Sequence, residues 1–301
     1  MTASITAIIL TYNEELHIER CISSLQPYIN RIVVVDSGST DKTLDIARRN
    51  GAEIYTNPFT NYAAQFNWGL ANCSITTDWV MRIDADEFID AELGREIETQ
   101  LPSTAREVSG FVLERRIKFL GRMIRFGGGV SPQRLLKIWR TGKGAIEDRW
   151  MDEHTVLSEG ATRGLSGLLV DENLKDFTFW VDKHNRYALR EVIDHLNSEF
   201  HFFEEASLAT LSTEAKLKRA AKTSLYRRLP LCYRALAYFV YRYILRFGFL
   251  DGKAGFLFHV MQGLWYRLMV DIKIAEARAF IEKNGLEAFK QMLAKDHRLK
   301  L

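Results

Sequence analysis

A chain of 301 residues, 47% apolar and 26% charged, can bury a sizeable core in one large domain or two, and has the charge content of a soluble protein. Its three cysteines (Cys21, Cys73, Cys232) form no Cys-x-x-Cys and no Cys/His cluster, which argues against a disulfide framework or structural zinc and for the reducing cytosol. The net charge of +3 is uneven: residues 215–273 hold 12 Lys+Arg against 2 Asp+Glu, so an acidic body carries a basic segment.

Met1-Thr2-Ala3-Ser4 leads straight into a strand pattern, with neither a basic n-region nor a cleavage site, so no signal peptide is expected. Residues 5–10 (Ile-Thr-Ala-Ile-Ile-Leu) predict a buried strand. A helix follows on Glu14, Glu15, Leu16, Ile18, Cys21, Ile22 and Leu25, with Asn13 as its expected cap. Ile32–Val35 predicts a second buried strand, and Ser37-Gly38-Ser39-Thr40-Asp41 turns the chain into a helix that Gly51 stops. A short strand at Glu53–Tyr55, a helix near Tyr62–Asn72 and a strand at Trp79–Ile83 complete a β-α-β-α-β-α-β order, which implies a parallel, doubly wound sheet. Beyond Asp90 a helix (Ala91–Gln100) leads to strands at Gly110–Phe119 and Leu135–Trp139, punctuated by Gly127-Gly128-Gly129 and Thr141-Gly142-Lys143-Gly144. From Phe177 the pattern is helical almost to the end. The expected organisation is an α/β domain over residues 1–175 and a helical region over 176–301.

Four loops leave the carboxyl ends of the early strands, where open α/β sheets bind ligands. They carry Thr11-Tyr12-Asn13-Glu14, Asp36 to Asp41, Asn57-Pro58-Phe59, and Asp84-Ala85-Asp86-Glu87. A strand puts residues i and i+2 on the same face, so if the strand ends here Asp84 and Asp86 both point into one crevice at its carboxyl edge. Such a pair suits a hard cation, Mg2+ or Mn2+, that would hold a diphosphate. A surface turn is the plainer alternative, and Asn13, Ser39 and Thr40 could act only as helix caps. Asp36 closes an apolar run, where a buried carboxylate needs a donor, and a nucleobase or ribose would serve. No Gly-x-Gly-x-x-Gly follows the first strand, no P-loop is present, and the Asp-x-Asp lacks the Thr of a phosphoaspartyl phosphatase.

Four blocks in order carry a resemblance to the family 2 glycosyltransferases of the GT-A fold: Ile8 to Glu14, Val34 to Asp41, Asn67-Trp68-Gly69-Leu70-Ala71, and Ile83 to Glu87. The resemblance is tight over the first 90 residues and looser over 110–155. It implies a GT-A sheet, Rossmann-like and mostly parallel with flanking helices, that binds a nucleotide-diphospho sugar, usually a UDP-sugar. It further implies that Tyr12 borders the base, Asp36 accepts from the pyrimidine, Asp84 lies near the ribose or metal, and Asp86 binds the metal on the diphosphate. Gln65 stands where many relatives have Lys or Arg. Thr11, Asn13 and Glu14 complete the expected nucleotide-sugar set.

Inverting transfer needs a base for the acceptor hydroxyl. The acidic cluster Trp150-Met151-Asp152-Glu153-His154 follows the Gly142–Gly144 turn, and in the resembled family an acidic residue here is the base. Lipopolysaccharide-core and slime-polysaccharide subgroups often show His-Glu or Asp-Glu-His at this place. Glu153 is the first candidate and Asp152 the second; a solvated acidic loop is the alternative. Arg134, in Pro132 to Lys137, is either a diphosphate contact or a surface charge. Lys183-His184-Asn185-Arg186-Tyr187 opens a helix that either faces a substrate or is an exposed face.

Residues 215–273 hold 12 of the 35 aromatics. The uninterrupted apolar run Ala235–Tyr241 is too short to span a bilayer, which takes about 20 residues. Leu229, Tyr233, Leu236, Val240, Ile244 and Phe247 recur as one helical face, with Arg228, Arg242 and Arg246 on another. The pattern predicts a helix in a membrane interface, or one packed on the body or a twin subunit in a homodimer. No nucleic-acid motif accompanies the charge. Phe247–Gly255 reads as a loop. The whole predicts an inverting, metal-dependent transferase that moves a hexose from a UDP-sugar to a lipid-linked or lipopolysaccharide-type saccharide at the cytoplasmic membrane face. A sugar-1-phosphate nucleotidyltransferase, which would want a Gly-rich basic first loop, and a non-catalytic membrane-bound scaffold of the same fold are the alternatives.

Overall fold

The computed structural model describes residues 3–147, 154–201 and 229–297, and the chain divides into two units, Met1–Lys175 and Asp176–Leu301. In the first unit β1 (Ile5–Thr11), β2 (Arg31–Asp36), β3 (Glu53–Thr56) and β4 (Trp79–Asp84) alternate with α1 (Ile18–Leu25), α2 (Thr43–Arg49) and α3 (Tyr62–Asn72). The strands pair in parallel in the order β3-β2-β1-β4. Thr11 stands opposite Asp36, Asp36 opposite Thr56, and Leu10 opposite Asp84. This register brings the loops after all four strands to one edge of the sheet.

The strands read as unbroken apolar runs because both faces are covered. Ile5, Ala7 and Ile9 face a core with Ile18, Ile22 and Leu25 of α1. Ile8, Val33 and Val35 face the other core with Ala63 and Phe66 of α3. Each fully buried Ile or Val side chain stabilises the unit by about 1.5–3 kcal/mol.

Beyond β4 come β5 (Glu87–Ile89), α4 (Ala91–Gln100), β6 (Val108–Phe119), β7 (Arg122–Met123), β8 (Gln133–Arg140), β9 (Gly144–Ile146), β10 (Thr155–Leu157) and β11 (Ala161–Asp171). The sheet continues from β4 as β8-β6-β11-β5, while β9 and β10 form a separate ribbon. β8 runs antiparallel to both β4 and β6, and β5 antiparallel to β11. The expected mostly parallel character therefore holds for the first four strands, and the sheet as a whole is mixed.

Two local expectations are corrected. The first helix begins at Ile18 rather than beside Asn13. Asn13 adopts φ 56° in a turn, and its side chain serves the neighbouring loop instead of a helix end. The expected order, which passes from the strand ending at Asp84 to the helix at Ala91, gains a strand: Glu87-Phe88-Ile89 pairs with β11 and is too short to show a period in sequence.

In the second unit α5 (Phe177–Phe200) is capped by Asp176, whose carboxylate accepts from Phe179 N at 2.8 Å. Next come α6 (Tyr233–Val240), a π-helical turn (Tyr241–Leu245), a 3-10 turn (Gly248–Asp251), α7 (Gly252–Phe258), a second π-helical stretch (His259–Trp265), α8 (Tyr266–Asn284) and α9 (Leu286–His297). Residues 247–255, expected as a loop, are thus largely helical. Ala188, Val192, Ile193 and Leu196 of α5 share a core with Val270 and Ile274 of α8 and with Phe289 and Leu293 of α9. Arg234 of α6 and Asp271 of α8 form a buried ion pair, and Asp271 also accepts from Cys232 N at 2.8 Å. Among the described residues no helix is long and apolar enough to cross a membrane.

Close packing in the first unit depends on Gly167. A Cβ there would lie 2.1 Å from the backbone nitrogen of Leu93, in the first turn of α4. Backbone cannot yield as a flexible side chain can, so Gly167→Ala should destabilise the protein by about 1–3 kcal/mol. A urea midpoint equal to wild type would contradict this packing.

Candidate active site

The loops at the carboxyl edge of the parallel strands are laced together by short polar side chains. Asp36, at the end of β2, is fully buried. Its Oδ2 accepts from Gly38 N and Ser39 N, both at 2.8 Å, and its Oδ1 from Ser39 Oγ at 2.5 Å and Thr11 Oγ1 at 3.0 Å. The donors that the sequence reading sought in a nucleobase are therefore supplied by the chain, two from backbone and two from hydroxyls that can rotate. Asn13 N donates to Ser39 Oγ at 2.9 Å, and Asn13 Oδ1 accepts from Thr40 N at 2.8 Å. These bonds hold the first loop against the second. Tyr12, between them, is 58% exposed and offers a ring at the loop tip.

Glu14 and Gln65 do not present free groups. The Glu14 carboxylate takes His17 Nδ1 at 2.6 Å and Lys175 Nζ at 2.9 Å, while Leu174 N donates to His17 Nε2 at 2.7 Å. Glu14 thus ties the first loop to the segment after β11. Gln65 is buried on α3, where its amide donates to Ser37 Oγ at 3.1 Å and Asn57 O at 3.0 Å and accepts from Asn57 Nδ2 at 2.8 Å. It bridges two loops where a Lys or Arg would have carried charge.

Asp84 and Asp86 have different environments. Asp84 is the last residue of β4, whereas Asp86 lies in the turn to β5, so the same-face rule for strands does not reach it. Asp84 is held on both oxygens. Tyr62 donates its hydroxyl to Oδ1, and Lys137 Nζ lies 3.4 Å from Oδ2. Arg82 Nε donates to the Tyr62 hydroxyl at 2.9 Å, and its guanidinium lies 4.4 Å from the centre of that ring. Lys137 Nζ is 2.6 Å from Glu87 Oε2, and the same oxygen accepts from Asp84 N at 3.0 Å. Asp86 Oδ2 accepts from Asn173 Nδ2 at 3.2 Å, and its backbone oxygen from Glu172 N at 3.0 Å.

Burial would raise the Asp84 carboxyl, but the Lys137 ammonium, the Arg82 guanidinium and the Tyr62 hydroxyl outweigh it and hold the group well below the usual carboxylate range. Burial raises Glu87, with the Asp84 charge adding to it against the pull of Lys137. Burial and the Asp84 charge also push the Tyr62 hydroxyl well up, so it remains a donor.

Arg134, expected near a diphosphate, is exposed on β8 opposite Glu114. The basic residue that meets the acidic loop is Lys137, three positions on. Its signal was legible: a lone Lys inside Leu-Leu-Lys-Ile-Trp on a buried strand requires a carboxylate partner. Nothing in the sequence singled out Tyr62 or Arg82. Asp152 and Glu153 lie outside the described residues.

Among the described residues no group of three or more His, Cys, Asp and Glu side chains is arranged to hold a metal. The donor set still fits a cation shared with a ligand. Mg2+ in phosphate sites takes one or two carboxylates and completes its shell with phosphate oxygens and water. Asp86, half-buried in the turn, suits that role, whereas Asp84 is already committed to Tyr62 and Lys137.

Residues 6–117, which span the parallel strands and all four loops, match the family "Glycosyl transferase family 2". The stretch that is similar to this family is thus the part of the first unit that carries the parallel strands, within a mixed sheet with flanking helices. An uncharacterized glycosyltransferase of Rickettsia bellii is 42% identical over 98 residues, 33% of this chain and 33% of its own length. The lipopolysaccharide core biosynthesis glycosyltransferase LpsC of Rhizobium meliloti is 32% identical over 164 residues, 52% of this chain and 58% of that protein. The match thus spans about a third of the first relative and just over half of the second. Among solved structures, glucosyl-3-phosphoglycerate synthase from Mycobacterium tuberculosis, in complex with Mn2+, UDP and glucosyl-3-phosphoglycerate, is similar over 38% of this chain and 44% of that one, at 23% identity and TM-score 0.29.

Removing Lys137 takes from the buried Glu87 its 2.6 Å partner, leaving Arg115 at 4.0 Å beside the Asp84 charge, and Lys137→Met should cost about 3–5 kcal/mol. The stability contributed by Asp84, whose folded pKa is depressed, is fully present above its unfolded value of about 3.9 and is lost as the pH falls through the folded pKa. Asp84→Asn should remove that part of the acid dependence. Urea midpoints taken from neutral to acid pH test both, and a Lys137→Met variant as stable as wild type would disprove the pairing.

Proposed function

We propose that this protein is an inverting glycosyltransferase that moves a hexose from a UDP-sugar to a lipid-linked or lipopolysaccharide-type saccharide at the cytoplasmic face of a membrane. The observation that carries the reading is the loop lattice around Asp36, which presents Tyr12 at the same sheet edge as Asp84 and Asp86 within the stretch similar to family 2. The Tyr12 ring stacks on the base. A ring N–H replaces the hydroxyl of Thr11 or Ser39 on Asp36, since either can rotate away while the backbone donors stay. Asp86 would hold Mg2+ or Mn2+, and the cation, when bound, would offset the growing charge of the diphosphate leaving group. Tyr62 and Lys137 keep Asp84 ionised and aimed, so that the negative edge beside the diphosphate site has one fixed geometry.

Glu153, or failing it Asp152, takes the proton of the acceptor hydroxyl. The acceptor oxygen bonds to the anomeric carbon as the bond from that carbon to the diphosphate oxygen breaks, which inverts the configuration. The acceptor class is supported by the similarity to LpsC. The membrane location is supported by the second unit, where Leu236, Val240, Tyr241, Ile244, Leu245, Phe247, Phe249, Leu250 and Phe256 are all exposed, beside exposed Arg246 and Lys253. A surface of this kind suits an interface with anionic lipid, worth about 1 kcal/mol per basic residue near the surface.

A thermal-shift screen of nucleotide sugars with Mn2+ should find a stabilising donor, and that donor should then be turned over. Asp86→Ala should reduce turnover by about 10²–10³-fold; undiminished activity would remove the metal role. Glu153→Gln should keep nucleotide binding and lose about 10²–10⁴-fold in transfer. If Asp152→Asn loses transfer instead, the base is its neighbour. Separately, Tyr241→Ser with Leu245→Ser should weaken flotation with phosphatidylcholine–phosphatidylglycerol vesicles and leave donor hydrolysis unchanged; equal flotation would contradict the membrane face.

A further inference from the structure

In the second unit the residues from Val240 to Leu250 turn mostly outward, with Leu245 64% exposed, but Arg242 turns in and is 1% exposed. The expectation that it shares a helical face with Arg246 does not hold, since Arg246 is exposed; Arg228 lies outside the described residues. All three guanidinium nitrogens are buried, and among the described residues only the Tyr238 hydroxyl acts on them as an acceptor and none has a well-formed hydrogen bond, although a guanidinium cannot shed its charge. Its neighbours are aromatic or basic. The Arg242 guanidinium lies 5.5 Å from the centre of the Tyr238 ring and 5.7 Å from that of Phe258. The Arg267 guanidinium also lies 5.5 Å from the Tyr238 centre.

His259 is buried beside Arg242, and neither of its ring nitrogens has a hydrogen-bond partner among the described residues. Burial and the Arg242 charge bring its pKa down to about 4. Among the described residues the groups that act on Arg242 are the neutral Tyr238 hydroxyl and the Arg267 guanidinium, with no carboxylate among them. Buried or half-buried acids of this unit have other partners, Asp271 in Arg234 and Glu191 in Arg267 and Tyr266, and the buried Asp251 does not act on Arg242. A buried cation beside a second cation and an unbonded imidazole lacks an anion. The backbone packs closely on both groups: a Cβ on Gly248 would lie 2.5 Å from His259 Nε2, and one on Gly263 would lie 3.8 Å from Arg242 Nη1.

We propose that Arg242 and His259 form an anion site that takes the phosphate of a phosphate-bearing lipid, whose chains lie on the exposed apolar face around it. The guanidinium fork matches phosphate oxygens, and the imidazole supplies a further donor. A lipid is the source because Val240, Tyr241, Ile244 and Leu245, which flank the arginine in sequence, are exposed. Arg242 sits in a π-helical turn, and π-bulges carry one extra residue within a helix. Moving that extra residue past Arg242 swings the side chain by about 100°, the angle per residue of an α-helix, and opens it to the surface. The lipid chains rest on the membrane reading above; the phosphate contact does not.

The test uses the full chain and calorimetric titration with dihexanoyl phosphatidic acid as a soluble monomer, against dihexanoyl phosphatidylcholine and inorganic phosphate. Wild type should bind the phosphatidic acid at least about tenfold more tightly than either comparator, as expected for a charge-assisted bidentate contact joined to apolar burial. Arg242→Met should lose that preference while its Tm rises, because the variant removes an uncompensated buried charge. His259→Leu should weaken the same binding and fold normally. Unchanged phosphatidic acid binding in Arg242→Met overturns the site, as does a wild type without the preference. Equal binding of inorganic phosphate overturns the lipid source. Vesicle flotation stands apart: its failure, with soluble phosphatidic acid still bound, would sink the membrane reading and leave the anion site intact.

Discussion

The ammonium of Lys137 is the contact on which the proposed donor edge depends. It lies buried on β8, between Asp84 at the end of β4 and Glu87 at the start of β5. A buried ammonium cannot stand without a counter-charge, and two neighbouring carboxylates cannot both ionise without a cation between them. The three side chains therefore fix one another, and with them the turn that carries Asp86. The same contact joins the antiparallel half of the sheet to the parallel half, since β8 is the strand at which the direction reverses.

The remaining loops are held by a different economy of bonds. Asp36, Thr11, Asn13, Ser39, Thr40 and Gln65 spend their hydrogen bonds on one another and on loop backbone, so the edge is rigid before any ligand arrives. Rigid loops on a sheet are a common way to hold a nucleotide, because little ordering remains to be done on binding. The lattice also has exchangeable members: a hydroxyl can leave Asp36 without disturbing the backbone donors.

The second unit follows another logic. Its core, between α5, α8 and α9, is apolar and ordinary, whereas the stretch from α6 to α7 exposes large hydrophobic side chains and buries a charge on which, among the described residues, no carboxylate acts. Both features oppose stability in water. Their coincidence within one short stretch, next to two π-helical segments, is what a surface made to meet an amphiphile would show.

Much of the first unit was legible from residue order. Apolar runs of strand length, separated by capped amphipathic helices, dictate the parallel strands, because backbone pairing and two covered faces leave no other arrangement for such runs. The loop residues at the strand ends, Tyr12, Asp36 and Asp84 among them, were also legible, since polar side chains that close an apolar run must lie at its edge. Tertiary structure alone decided what each side chain does there. Asp36 takes Thr11 from the neighbouring strand besides the donors of its own loop, Glu14 takes Lys175 besides the nearby His17, Gln65 bridges Asn57 and Ser37, Lys137 rather than Arg134 meets the acids, and Arg242 is buried while its neighbours are exposed. Periodicity specifies which residues share a face. It does not specify which partner from another strand or helix a buried charge will find, because that depends on strand order, register and helix winding.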